Sequence, residues 1–206
     1  MLMPLQRSAE EAGLDKCNGR DITLDSGGHV RIKYIWNETP KLSNMHSCKV
    51  VLDGEEFESV ECAFQTAKRR HFLKTVEGFE GSGIQMKKLN NKSSLVSAIR
   101  KESGCSRSKA VVIYEDALSS WKEKTRDIME QLLMSKFELN HDLRNLLIAT
   151  GNWKIYEAKF RGGSVWERQS ETDFGLLGEL LMLVRDRMRG CASDWEIKTA
   201  NVLRYK

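Results

Sequence analysis

The chain has 206 residues, 40% of them hydrophobic and 30% charged, with only two prolines. That is enough apolar material for one domain with a sizeable core, and it excludes disordered and collagen-like chains. The formal net charge of +4, with acids and bases interspersed, suits a phosphate-bearing ligand without requiring one.

Residues 1–28 mix charges and glycines without periodicity and read as a flexible or loosely packed arm. In "HVRIKYIW", Val30, Ile32, Tyr34 and Trp36 alternate with Arg31 and Lys33, the pattern of a half-buried strand. "CKVVLDGEEF" sets Asp53-Gly54 between two apolar segments, a hairpin signal. Ser59 is then placed to cap a helix through "VECAFQTAKRR". Glu61, Gln65 and Lys68 recur there at i, i+4 and i+7 and share one stripe. Val60, Phe64, Ala67 and His71 make a second, mostly apolar stripe that faces a core.

From residue 84 the pattern is helical but broken. Ile84, Leu89, Leu95, Val96 and Ile99 are core positions, "NNKSS" interrupts them, and "GFEGSG" and "ESGCSRSK" read as loops. "AVVIYE" reads as a short strand. Trp121, Ile128, Met129, Leu132, Leu133 and Phe137 mark a long amphipathic helix. "HDLRNLLIAT" continues as another, with Gly151 as its stop. A last helix near residues 173–189 turns Leu177, Leu180, Leu181, Val184 and Met188 inward. The expected fold is mainly α with a small β component, a single domain over residues 29–190 followed by a tail at 191–206.

Cys17, Cys48, Cys62, Cys105 and Cys191 are scattered, with no C-x-x-C pair, so neither a disulfide framework nor a zinc ribbon is indicated. "MLMPLQRSAEEAG" holds no long apolar stretch, and the richest apolar run, "LLGELLMLV", is too short to span a bilayer. The expectation is a soluble cytoplasmic protein with free thiols and no membrane partner. There is no P-loop, no G-x-G-x-x-G after a strand and no G-x-S-x-G elbow. His29, His46, His71 and His141 are dispersed, which disfavours a histidine metal cage.

The segments "LSNM", "SVECAFQTAK", "W…M…L…KFELN…L…LLIATG", "YEA…W" and "LGELLMLVR" occur in an order that resembles the NADAR/YbiA-like family, over residues 34–190. The resemblance implies a compact YbiA-like domain that cleaves N-glycosidic bonds with water, using no cofactor and no metal. Family members act on ribosylamino-pyrimidine phosphates of riboflavin synthesis or remove ADP-ribose from guanine bases, and some are linked to NAD-derived metabolites. The family's glutamate matches Glu61, its tryptophan Trp121, the lysine after "Q-x-A" Lys68, and the asparagine of the early "S-N" pair Asn44. Two positions depart from the pattern. Gly162 and Gly163 stand where an aspartate is usual, and Gly175 stands where an asparagine is usual. Glu167, Glu171 and Asp173 are the carboxylates near enough in sequence to substitute.

Cleaving a ribosyl C1′–N bond builds positive charge on the sugar and negative charge on the leaving base. It calls for a carboxylate near C1′, donors and an aromatic surface at the base, and cations for phosphate. Glu61, Trp121 and Lys68 supply the catalytic types, with Asn44, Gln65 and Glu157 as substrate-binding candidates. Each has a plainer reading. An acid behind Ser59 is favoured by the helix dipole alone, Gln65 and Lys68 suit a solvated face, and Glu157 suits a structural role. The ligand expected is a nucleotide-like small molecule or ADP-ribosylated DNA. The competing readings are a noncatalytic ADP-ribose-binding module, because of the missing aspartate, and a basic nucleic-acid binder, because of "AKRRHFLK".

Overall fold

The computed structural model describes residues 23–32, 40–74, 91–158 and 164–191. Strands β1 (Thr23–Leu24), β2 (Val30–Ile32), β3 (Val50–Leu52) and β4 (Glu55–Phe57) precede helices α1 (Val60–Lys74), α2 (Lys92–Ser103), α3 (Arg107–Leu139) and α4 (His141–Ala149). Strand β5 (Ile155–Glu157) and helix α5 (Gly175–Cys191) follow. The architecture is mainly α with a small β component.

The long helix α3 is the spine, and α1, α2, α4, α5 and β3 all pack on it. Met129, Leu132, Leu133 and Phe137 are fully buried along its core face. Truncating Leu133 to alanine would cost about 2–5 kcal/mol through lost transfer and a cavity. The first turn of α3 corrects one expectation, since "AVVIYE" is helical rather than a strand. Ala110, Tyr114, Ala117 and Trp121 are buried at i, i+4, i+7 and i+11, so helical periodicity overrides the local β-branched run. "NNKSS" begins a helix rather than interrupting one. Asn91 Oδ1 accepts the Ser94 amide at 2.9 Å, and Ser94 Oγ accepts the Asn91 amide at 3.2 Å. Gly104, at φ 63°, closes α2.

Strand β2 runs antiparallel to β1 and parallel to β5, giving the order β1-β2-β5. The sheet therefore starts upstream of residue 29. Val30 and Ile32 are buried with Arg31 between them, as the alternation predicts. The β3–β4 hairpin turns at Asp53 (φ 52°) and Gly54 (φ 81°), both left-handed, which is what a two-residue type I′ turn demands. Helix α5 lies directly on β5, because a side-chain carbon at Gly178 would sit 2.2 Å from the Ile155 carbonyl oxygen. Tyr34, Trp36, Ile84, Leu89 and "GFEGSG" fall outside the described residues. Among the described residues, no helix is long and apolar enough to cross a membrane.

Candidate active site

The start of α1 and the loop before β3 are built around each other. Ser59 Oγ accepts the Cys62 amide at 3.2 Å, capping the helix as expected. The Glu61 amide donates to the Asn44 carbonyl at 2.9 Å, so the loop carrying Asn44 satisfies a helix-start amide and lies over the first turn. Gln65 Nε2 donates to Glu61 Oε1 at 2.9 Å, the i, i+4 contact the stripe implied.

Two side-chain acceptors on these residues are left over. Asn44 Oδ1 and Gln65 Oε1 are buried and accept no hydrogen bond. Asn44 Nδ2 has only a weak contact, 3.5 Å from Met129 Sδ. An unsatisfied buried acceptor costs about 1–3 kcal/mol. Lys68, on the same stripe, is half-buried. Burial lowers its pKa, the Glu61 carboxylate opposes that, and Arg69 adds to it.

Trp121 packs against α1 through Phe64 and His71. Phe64, one turn from Glu61, has its ring 5.4 Å from the Trp121 ring and 5.4 Å, edge-on, from Trp166. The other contact of Trp121 is His71, at 5.5 Å. The indole is 4% exposed and belongs to the hydrophobic core. Glu157 is buried on β5, and its carbonyl accepts the Arg168 amide at 3.2 Å.

Of the three carboxylates near the departing motif, Glu167 is buried, whereas Glu171 and Asp173 are exposed. Glu167 follows Trp166, and its Oε2 accepts the Ser164 amide at 3.1 Å. Gly175, at φ +72°, makes room for this segment, since a side-chain carbon there would lie 2.4 Å from the Glu167 carbonyl carbon. Gly162 and Gly163 lie outside the described residues. The segment is pinned to the sheet by Arg168, whose guanidinium lies 4.7 Å over the Tyr156 ring and 3.2 Å from Asp25 Oδ2.

One important side chain is easily missed in the sequence. Lys136 is fully buried, and its Nζ donates to the Lys41 and Ser43 carbonyls, both at 2.8 Å. Burial pulls its pKa down to about 8, with Cys48 opposing. It thereby ties α3 to the loop that presents Asn44, and Asn140 Nδ2, donating to the Lys49 carbonyl at 2.8 Å, adds a second tie. The signal was present: Lys136 shares the apolar face of Leu132, Leu133 and Phe137. "AKRRHFLK" does not form one basic stripe. Lys68 is half-buried, Arg69 is buried, and Arg70 pairs with Glu55 at 2.5 and 3.2 Å. Among the described residues, no group of three or more His, Cys, Asp or Glu side chains is arranged to hold a metal ion.

Residues 33–189 match the family model of the NADAR domain. The chain is similar to the NMR structure of the E. coli protein YbiA, with 20% identity over 91% of this chain and 94% of that one, at a TM-score of 0.46. None of the curated proteins compared matches it. The family match takes in the Asn44 loop, α1, Trp121 and α5 in one span, and the chain belongs to the NADAR family.

Proposed function

We propose that the protein is an N-glycosidase that hydrolyses the ribosyl C1′–N bond of a phosphorylated or ADP-ribosylated nucleoside-like substrate. Membership of the NADAR family supports a glycosidase-type role. The observation that carries the reading further is the Glu61 carboxylate, held by Gln65 Nε2, with Gln65 Oε1 unsatisfied and, on the loop that takes the Glu61 amide, Asn44 Oδ1 unsatisfied as well. Ribose hydroxyls and the amino edge of a base are the donors such a set takes.

In this reading Glu61 faces C1′ and either stabilises the oxocarbenium-like centre or takes a proton from the attacking water. The water oxygen bonds to C1′, and the base leaves with the electrons of the C1′–N bond and gains a proton. Lys68, its ammonium made more acidic by burial, holds a phosphate oxygen or gives that proton. Phe64 and Trp121 form the aromatic wall for the base. Glu167, buried beside Trp166, takes the place of the family's aspartate as a second carboxylate. Glu157 is a substrate-binding candidate at the edge of the sheet.

The test is release of free base from NAD, from DNA carrying ADP-ribosylated guanine and from a ribosylamino-pyrimidine phosphate. Release from at least one by wild type, lost in Glu61→Gln, supports the proposal. The glycines at the family's aspartate position favour one other reading, a noncatalytic binding module. Tight binding with no base released from any of the three would establish that reading instead.

A further inference from the structure

Trp166 and Glu167 stand on a segment, residues 164–174, that forms neither helix nor strand. A chain without a hydrogen-bonded ladder of its own keeps one geometry only where side chains fix it. Arg168, next to Glu167, does this. Its amide donates to the Glu157 carbonyl on β5 at 3.2 Å. Its Nε donates to the Ser170 carbonyl at 2.7 Å and its Nη2 to the Glu171 carbonyl at 3.1 Å, folding the segment back on itself. The guanidinium lies 4.7 Å from the centroid of the Tyr156 ring and 5.3 Å from that of Phe174. The last arm, Nη1, donates to Asp25 Oδ2 at 3.2 Å. Trp166 in turn meets Phe64 edge-on at 5.4 Å, so the placement of this segment is felt by the helix that carries Glu61.

Asp25 is itself held from several sides. It lies in the turn between β1 and β2, where its Oδ1 accepts the Gly27 and His29 amides, both at 2.9 Å. Its Oδ2 also accepts the Tyr156 hydroxyl at 3.1 Å. Burial raises its pKa, but the His29 amide, the Tyr156 hydroxyl, the Gly27 amide and the His29 ring together hold the carboxyl below the usual carboxylate range. The Asp25 and Arg168 side chains are only 17% and 19% exposed, so solvent screens this pair less than an open surface bridge. Asp25 also precedes residue 33, where the family match begins. The tie to Arg168 therefore comes from outside the span this chain shares with the family.

We propose that Asp25 is a positioning residue that acts through Arg168 to set where Glu167 and Trp166 stand, making the β1–β2 turn a part of the site. The proposal rests on the reading of Glu167 as the second carboxylate. A reacting group displaced by about 1 Å loses rate far more than binding, so the effect belongs in kcat.

Asp25→Asn keeps an oxygen for the turn amides and removes the charge; it is compared with Arg168→Gln, the double variant, Glu61→Gln and wild type, all as the full chain. Hydrogen exchange read by mass spectrometry reports the geometry without any substrate. In Asp25→Asn the amides of residues 164–177 are expected to exchange about tenfold faster or more, with those of α3 unchanged. On whichever of NAD, DNA carrying ADP-ribosylated guanine or a ribosylamino-pyrimidine phosphate is cleaved, kcat is expected to fall about tenfold and KM to stay within about threefold. The double variant is expected to be no slower than the slower single one, because both changes break one contact. Asp25→Ser serves if Asp25→Asn does not fold. Unchanged exchange at residues 164–177, faster exchange throughout including α3, an unchanged kcat, a rise in KM alone or additive losses in the double variant would each overturn the proposal. Absence of base release by wild type would instead defeat the glycosidase reading, and the exchange rates alone would then decide whether Asp25 holds the segment.

Discussion

Gln65 donates to Glu61 Oε1 at 2.9 Å while its own Oε1 stays buried without a donor. The amide thus holds one carboxylate oxygen and keeps an acceptor of its own unpaired. Asn44 takes the Glu61 amide on its backbone carbonyl and leaves its own Oδ1 unsatisfied.

Replacing Asn44 with leucine keeps the shape and removes the orphaned acceptor. The folded protein should be unchanged or more stable, by up to about 1 kcal/mol, while affinity for a ribosyl substrate falls about tenfold. Thermal unfolding read beside ligand titration separates the two effects. A variant that loses stability and keeps affinity would make Asn44 an ordinary turn residue.

Glu167 and Glu171 differ in burial, and this predicts different consequences. Glu167→Gln should lower turnover by about 10²-fold or more if the buried carboxylate serves chemistry, and Glu171→Gln should leave it within about twofold. Steady-state rates of both variants on one substrate decide the matter. Equal rates for the two would remove Glu167 from the mechanism.

Lys136 gives a pH signature with a definite sign. Its folded pKa of about 8 lies below the ordinary 10.5, so between these values the unfolded chain binds a proton that the folded chain has released. Stability contributed by this residue therefore rises with pH across that window, and the cost of burying the charge is fully present below pH 8. A shift of this size corresponds to roughly 3 kcal/mol. Denaturant unfolding from pH 7.5 to 10.5 should show wild type gaining on Lys136→Met by about that amount. Parallel curves would mean that Lys136 is not depressed.

Gly178→Ala should destabilise by about 1–3 kcal/mol or prevent folding, since the new carbon meets the Ile155 carbonyl oxygen at 2.2 Å. Gly175→Asn tests the family departure. Asparagine tolerates the left-handed φ of +72°, but its side chain must displace the Trp166–Glu167 backbone. Trp166 should then leave the edge of Phe64, which tryptophan fluorescence would report.

Much of this was legible in the sequence where local chemistry and tertiary contacts agree. The Asp53-Gly54 turn, the Ser59 cap, the Gly151 stop (φ 60°) and the Val30/Ile32 alternation all stand as read. "AVVIYE" was misread because β-branched residues prefer strands locally, and burial against α1 and α2 decides otherwise. The role of Lys136 is not legible in the sequence, because the Lys41 and Ser43 carbonyls that accept its ammonium protons are more than ninety residues away in the chain. The stripe of Glu61 and Gln65 was visible; that the Glu61 amide is met by the Asn44 carbonyl is a tertiary contact with a loop distant in sequence.

A single-turnover assay on a ribosyl N-glycoside that binds the protein puts the carboxylate on trial most simply. Wild type should release the base, while Glu61→Gln, which keeps the size and loses the charge, should bind the same compound within a few-fold and release it about 10²–10⁴ times more slowly. Equal release by both proteins would mean that no bond breaks beside Glu61.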